Sequence, residues 1–345
     1  MVGAGRVCIR RLFDAGVELG GMNETRRQLL AALAEGPVTG PALANEVGVS
    51  RAAVWKQVEA LREEGFAIES TNNGYAITAV PAYGAAAIEY ELDAPYTVEY
   101  HESIGSTNDR ARELAADGDR DTVVVADEQT GGRGRLARSW ASPPGGIWAS
   151  AVLDPSLPAA HVPLVTLAAG VAVVDACRAV DVDATLKWPN DVLVGDDAAS
   201  GAADESSDGN ERGGRKLAGI LTEMEGEADR VSWLLVGVGL NANIDADALP
   251  AGATSLQEQV GEIDRRAVLQ TVLESVSTLL GDPETIIERW QEYNSTLGRR
   301  VRVDTGRKEI EGRAVDVQFP GALVIDTDTG EKIVHAGDCE HLRPA

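Results

Sequence analysis

Three stretches near the N-terminus have the spacing of short helices, and a hairpin pattern follows them. Residues 24–35 carry apolar positions at helical intervals and stop at Gly36-Pro37. Thr39 is placed to cap a second short helix that ends at Val47, with Gly48 as the turn. Ser50 caps a third, in which Val54, Val58 and Leu61 share one face and which stops before Gly65. The runs 66–70 and 75–78 alternate around Asn72-Asn73-Gly74, residues that tolerate positive φ in a tight turn. Three helices and a hairpin predict a winged helix-turn-helix over residues 23–80.

Residues 81–96, with prolines, a Tyr-Gly pair and an alanine run, read as a linker with or without a short helix. The pattern then mixes strands and helices. Strands are expected at 97–102, 122–128, 147–153, 185–188 and 192–194, and helices from Ser106 or Thr107 to Ala116 and over 164–178. The runs 216–225 and 230–240 form an antiparallel hairpin. This is an α+β domain spanning residues 97–296. Within it, residues 196–214 are almost wholly Asp, Glu, Gly, Ala, Ser and Asn, and lack side chains large enough to offset ordering entropy, so a disordered acidic insertion is expected. Short alternating runs from 300 to 344, separated by Gly-containing turns, predict a small β-barrel over residues 297–345. Residues 1–22 read as an N-terminal extension, with Met22 as a candidate start.

Composition narrows the class. A chain of 345 residues, 44% hydrophobic and 25% charged, carries several globular domains. The apolar stretch 162–174 is shorter than a membrane span and reads as a buried helix, and no signal-peptide core accompanies Arg6, Arg10 and Arg11. The expectation is a soluble, cytoplasmic protein with no membrane partner. Cys8, Cys177 and Cys339 are too scattered for a disulfide framework, and the four histidines show no metal-ligand spacing, so no metal site is expected. The net charge of −24 is carried with five lysines, an acidic and lysine-poor balance that points to a halophilic protein. That charge is uneven: residues 24–80 are net −2 and residues 81–345 net −23. The first helical module is therefore spared most of the repulsion that would oppose DNA. Ser50, Arg51, Trp55 and Lys56, at the start of its third helix, are the candidate DNA-binding residues. A protein-interaction module remains the alternative.

Chemistry concentrates in three strings. Thr130-Gly131-Gly132-Arg133-Gly134-Arg135-Leu136-Ala137-Arg138-Ser139-Trp140 has three arginines and no acid, as a loop meeting an anion needs, although a mobile surface loop has the same composition. In Lys187-Trp188-Pro189-Asn190-Asp191 a scarce lysine closes a strand, either for charge stabilisation or as a solvent-facing turn. Gly219, Gly237 and Gly239 interrupt the hairpin strands where a ligand lying on the sheet needs room. Ser106-Thr107-Asn108 and Gln129 add neutral groups suited to an amide or urea.

Together with Lys216-Leu217-Ala218-Gly219-Ile220 and Gly237-Val238-Gly239-Leu240-Asn241, these ordered strings resemble the biotin protein ligase family. Gly48-Val49-Ser50-Arg51-Ala52-Ala53-Val54 is similar to the DNA-binding part of its bifunctional members, which also repress biotin-synthesis genes. The resemblance implies a central domain with a class II synthetase-like mixed sheet and an SH3-like C-terminal barrel. It implies two steps, formation of biotinyl-5'-AMP from biotin and ATP with Mg2+, then transfer to a lysine of a biotin carboxyl carrier protein or domain of an acyl-CoA carboxylase. By resemblance, Ser106, Thr107, Asn108, Gln129, Gly132, Arg133, Gly134, Arg135, Lys187, Gly219 and Gly237 bind biotin. Arg133, Arg135, Arg138, Lys187, Asn190 and Asn241 bind ATP, and Lys187, Arg133 and Arg135 are catalytic. Operator DNA and a second copy of the chain in a homodimer are further implied partners. One departure stands out: residues 242–254 contain no aromatic to stack on adenine. A lipoate ligase, or a biotin-sensing regulator without transfer activity, are the competing assignments.

Overall fold

A computed structural model describes residues 21–154, 158–195, 214–227 and 230–342. Residues 1–20 of the expected extension 1–22 and all but Gly214 of the acidic insertion lie outside them, and Gly21 and Met22 belong to the first helix. The chain divides into two compact units at Val80 and Pro81.

In the first unit, α1 (Gly21–Ala34), α2 (Gly40–Val47) and α3 (Arg51–Glu63) precede the antiparallel hairpin β1 (Ala67–Thr71) and β2 (Gly74–Ala79). The caps are as the sequence predicts: Ala42 N–H donates to Thr39 Oγ1, and Ala53 N–H to Ser50 Oγ. Val54, Val58 and Leu61 form the buried face of α3. Gly74 has φ +115°, and a Cβ there would lie 2.2 Å from the carbonyl oxygen of Val38, to which the wing is bridged through Tyr75. No larger residue fits that approach.

The second unit opens with α4 (Ala85–Glu89), then β3 (Thr97–Ile104), α5 (Thr107–Asp117), β4 (Thr122–Gln129), β5 (Ile147–Leu153) and α6 (Val162–Arg178). Residues 81–96 are thus no free linker, because Ala86, Ala87 and Ile88 are buried in the unit's core. The alanine run supplies a thin helix that packs closely. Strands β6 (Ala184–Lys187), β7 (Asp191–Val194), β8 (Arg215–Glu227) and β9 (Arg230–Leu240) complete a mixed seven-stranded sheet in the order β3-β4-β5-β9-β8-β7-β6. Only the β3/β4 pair is parallel. Residues 256–293, to which the pattern assigns no element, form α7 (Leu256–Val260), α8 (Arg265–Gly281) and α9 (Glu284–Tyr293).

The run Ala159–Arg178 is long and apolar enough by composition to cross a bilayer. It is instead the core helix: α6 buries residues from Leu164 to Cys177 against the sheet, α8 and α9. The thiols of Cys177 and Cys339 are buried, which pushes both up to about 12. At the C-terminus, β10 (Arg300–Asp304), β11 (Glu309–Gln318), β12 (Ala322–Thr327), β13 (Gly330–Val334) and β14 (Asp338–His341) form a small antiparallel sheet in the order β13-β12-β11-β10-β14. Its apolar side joins the domain of the seven-stranded sheet in one continuous core, through Val301, Leu323, Trp188 and Trp290 among others.

Candidate functional site

Register places Gly239 opposite Gly219, and Gly219 opposite Asp191, so these residues share one face of the central strands. A cavity of about 260 Å³ lies over that face. Its walls are the start of α5, the loop from Arg133 to Ala141, residues of β7, β8 and β9, and Asp338 of the C-terminal sheet.

One wall is neutral. Ser106, capping α5, and the adjacent Thr107 and Asn108 are buried. Gln129 Oε1 accepts from the Thr107 amide at 2.8 Å and the Thr107 hydroxyl at 3.0 Å, while its Nε2 donates to Ser142 Oγ at 2.9 Å. A Cβ on Gly237 would sit 2.1 Å from Asn108 Oδ1, so that glycine makes room for Asn108 rather than for ligand alone.

The other wall is charged. Arg133 pairs with Asp109, and Arg138 with Asp338. Arg135 donates to Asn190 Oδ1 at 3.0 Å and to the Gly337 carbonyl at 2.9 Å. Lys216 Nζ lies 2.5 Å from Asp191 and 5.0 Å from the centroid of Trp140. A Cβ at Gly219 or Gly239 would come within 3.1 or 2.8 Å of that indole, so the two glycines form the floor beneath Trp140. The Trp140 Nε1 is buried with no hydrogen-bond partner among the described residues. Asn241 is buried and donates to the Thr254 carbonyl at 2.9 Å, holding the end of the 242–254 segment, from which Pro250 and Ala253 line the cavity.

Most of the residues expected from sequence therefore converge: Ser106, Thr107, Asn108, Gln129, Arg133, Gly134, Arg135, Arg138, Asn190, Gly219, Gly237 and Asn241 all line the cavity. Two do not. Gly132 is buried inside the loop, where a Cβ would meet Ser142 Oγ at 2.5 Å and the Trp140 carbonyl at 2.6 Å. Lys187 does not line the cavity either. It is 6% exposed, on the edge strand β6, close enough to Cys339 for its charge to act on that thiol. The lysine that does face the cavity is Lys216, at the start of β8. Trp140, Asp191 and Asp338 also line it without having been singled out. The first two stand inside the motif strings; for Asp338 the sequence carries no signal.

On the first unit, Ser50, Arg51, Trp55 and Lys56 are exposed, Trp55 at 58%. Arg26 and Arg62 are engaged with Glu64 and Glu59, whereas Arg51 and Lys56 enter no ion pair among the described residues. The face has the form of a nucleic-acid-reading helix with two available cations.

Comparison with known proteins agrees with this geometry. Residues 100–241 match the biotin/lipoate A/B protein ligase family, residues 25–76 a helix-turn-helix domain, and residues 296–342 the biotin protein ligase C-terminal domain. The bifunctional ligase/repressor BirA of Bacillus subtilis is 34% identical over 321 residues, covering 88% of this chain and 93% of the relative. The biotin–[acetyl-CoA-carboxylase] ligase of Mycobacterium tuberculosis is 34% identical over 263 residues, covering 69% and 86%. Among solved structures, the biotin protein ligase from Aquifex aeolicus in complex with biotin and ATP superposes with a TM-score of 0.57 at 28% identity, covering 72% of this chain and 99% of that one. The third domain and these relatives favour biotin over the lipoate assignment. The chain belongs to the biotin protein ligase family, in the bifunctional form that carries a helix-turn-helix ahead of the ligase fold.

Proposed function

We propose that the chain activates biotin with ATP to biotinyl-5'-AMP and transfers the biotinyl group to a lysine of a biotin carboxyl carrier protein or domain. The observation that carries this reading is the division of one cavity into a neutral hydrogen-bonding wall and a cationic wall beside an indole. The neutral wall of Ser106, Thr107, Asn108 and Gln129 suits the ureido ring. The biotin carboxylate then points towards Lys216, Arg133 and Arg135. One carboxylate oxygen attacks the α-phosphorus of ATP, and the bond to pyrophosphate breaks. Lys216 and Arg135 stabilise the charge gathering on the phosphoryl oxygens, and Arg138 holds the departing pyrophosphate. Trp140, the one aromatic ring lining the cavity among the described residues, takes the adenine that residues 242–254 cannot stack. In the second step the carrier lysine's amine attacks the acyl carbon and AMP leaves.

Lys216 replaces Lys187 in the catalytic role, because a point charge must face the reacting atoms to act on them. Mg2+ enters on the phosphates of ATP; among the described residues no three His, Cys, Asp or Glu side chains gather to hold a resident metal. The winged helix binds operator DNA through Ser50, Arg51, Trp55 and Lys56, and both roles place the protein in the cytoplasm. The acidic, lysine-poor composition keeps it soluble in concentrated salt.

The test is transfer of labelled biotin to an isolated carrier domain by the full chain, in molar potassium chloride with Mg-ATP. Label on a single carrier lysine is expected. Biotin bound but never transferred would instead establish a sensor.

A further inference from the structure

Behind the neutral wall stands a carboxylate that the two-step reaction does not use. Glu223 projects from β8 with its side chain 26% exposed. One of its oxygens accepts from Arg112 Nη2 at 2.8 Å, the other from Asn108 Nδ2 at 2.7 Å. A carboxylate only accepts, so the nitrogen of the Asn108 amide faces Glu223 and Oδ1 faces away. That oxygen lies 2.6 Å from the hydroxyl of Ser150, which is fully buried on β5. Ser150 has a single proton, and Asn108 Oδ1 can only receive it. Ser150 Oγ is also 2.8 Å from Thr107 Oγ1, and Thr107 Oγ1 is 3.0 Å from Gln129 Oε1. The Thr107 proton therefore has its acceptors inside the protein, and towards the cavity the hydroxyl offers a lone pair.

We propose that Glu223 is a positioning residue that sets the direction of the hydrogen-bond chain Asn108–Ser150–Thr107, so that the cavity wall accepts an N–H from the bound ring and discriminates against rings without one. This rests on the placement of the ureido ring against Thr107 proposed above. Glu223 itself touches no ligand. Its carboxylate selects the ligand's donors through three intervening side chains, Asn108, Ser150 and Thr107.

Arg112 makes the isosteric Glu223→Gln variant a reversal rather than a deletion. Arg112 can only donate, so the glutamine oxygen faces Arg112 and its amino group faces Asn108. Asn108 must then turn over and donate to Ser150, whose proton passes to Thr107. One Thr107 lone pair is now occupied, and the wall becomes a poorer acceptor.

The experiment is calorimetric binding of biotin and of its two cyclic-carbamate analogues, each with a ring oxygen in place of one ureido N–H, to the full chain. Wild type is expected to prefer biotin over at least one analogue by about tenfold or more, as an unmatched buried acceptor requires. Glu223→Gln is expected to lower that ratio about tenfold, with a thermal melt confirming the fold. Ser150→Ala removes the link that would carry the reversal while Thr107 still donates to Gln129, so it is expected to keep the wild-type ratio and to cancel the effect of Glu223→Gln in the double variant. A structural role for Glu223 would weaken biotin and analogue in parallel, so an unchanged ratio in Glu223→Gln overturns the inference, as does a ratio that falls in Ser150→Ala alone. A wild type that binds biotin and the analogues alike overturns it too, while leaving the proposed function standing. A wild type that binds no biotin overturns both.

Discussion

The two walls of the cavity are built on opposite principles. The neutral wall comes from one helix start, the end of β4 and the middle of β5, and its groups hydrogen-bond to one another at 2.6 to 3.0 Å. It is a template whose shape and polarity are fixed by the chain's own side chains. The charged wall draws Arg133, Arg135 and Arg138 from a loop, Lys216 from β8 and Asp338 from the C-terminal sheet. Its cations are engaged by the chain's own carboxylates, Asp109, Asp191 and Asp338. On the proposed function a ligand phosphate exchanges with those partners, so that the neutral wall reads the ligand and the charged wall responds to it.

This contrast is open to direct attack. The largest effect is expected from Lys216→Ala, which should cut the adenylation rate by about 10²- to 10³-fold, as removal of a charge aimed at the transition state does. Lys187→Met, by contrast, should keep that rate within about tenfold of wild type while lowering the melting temperature, since it removes a buried side chain outside the cavity. Gly237→Ala strikes the template. Its methyl would displace Asn108 Oδ1, 2.1 Å away, and biotin affinity measured without ATP should fall about tenfold or more. Trp140→Ala should raise the KM for ATP about tenfold, the scale of a lost base-stacking contact, and leave ATP-free biotin binding nearly unchanged.

The smallest effect concerns the frame around Lys216. Arg215 holds Glu258 below the usual carboxylate range through a hydrogen-bonded pair that ties β8 to α7. A lowered carboxylate contributes stability above its unfolded value and loses it as pH falls through the folded one. Glu258→Gln should therefore melt slightly below wild type near neutrality, by less than about 1 kcal/mol for so exposed a pair, and match it in acid.

The same contrast governs what was legible in the sequence. The neutral wall is largely local, and Ser106 as helix cap with Gln129 at a strand end can be read from pattern alone. The winged helix is legible for the same reason, each cap and turn lying beside the element it ends. The charged wall depends on strand order. Lys187 and Lys216 both stand at strand termini inside the motif strings, and only the order β9-β8-β7-β6 makes β8 interior and β6 an edge. Asp338 reaches the cavity from β14, a strand too short to announce itself, roughly 200 residues after the arginine it meets. Likewise Ile88 lies in a run whose Pro, Gly and Ala content resembles a linker until α8 is packed against it.

Biotin-dependent exchange of labelled pyrophosphate into ATP by wild type, Lys216→Ala and Lys187→Met in molar potassium chloride decides which lysine serves adenylation. Exchange is expected with biotin and not lipoate, lost in Lys216→Ala and retained in Lys187→Met. Exchange that survives the loss of Lys216 and disappears with Lys187 would return the catalytic role to Lys187.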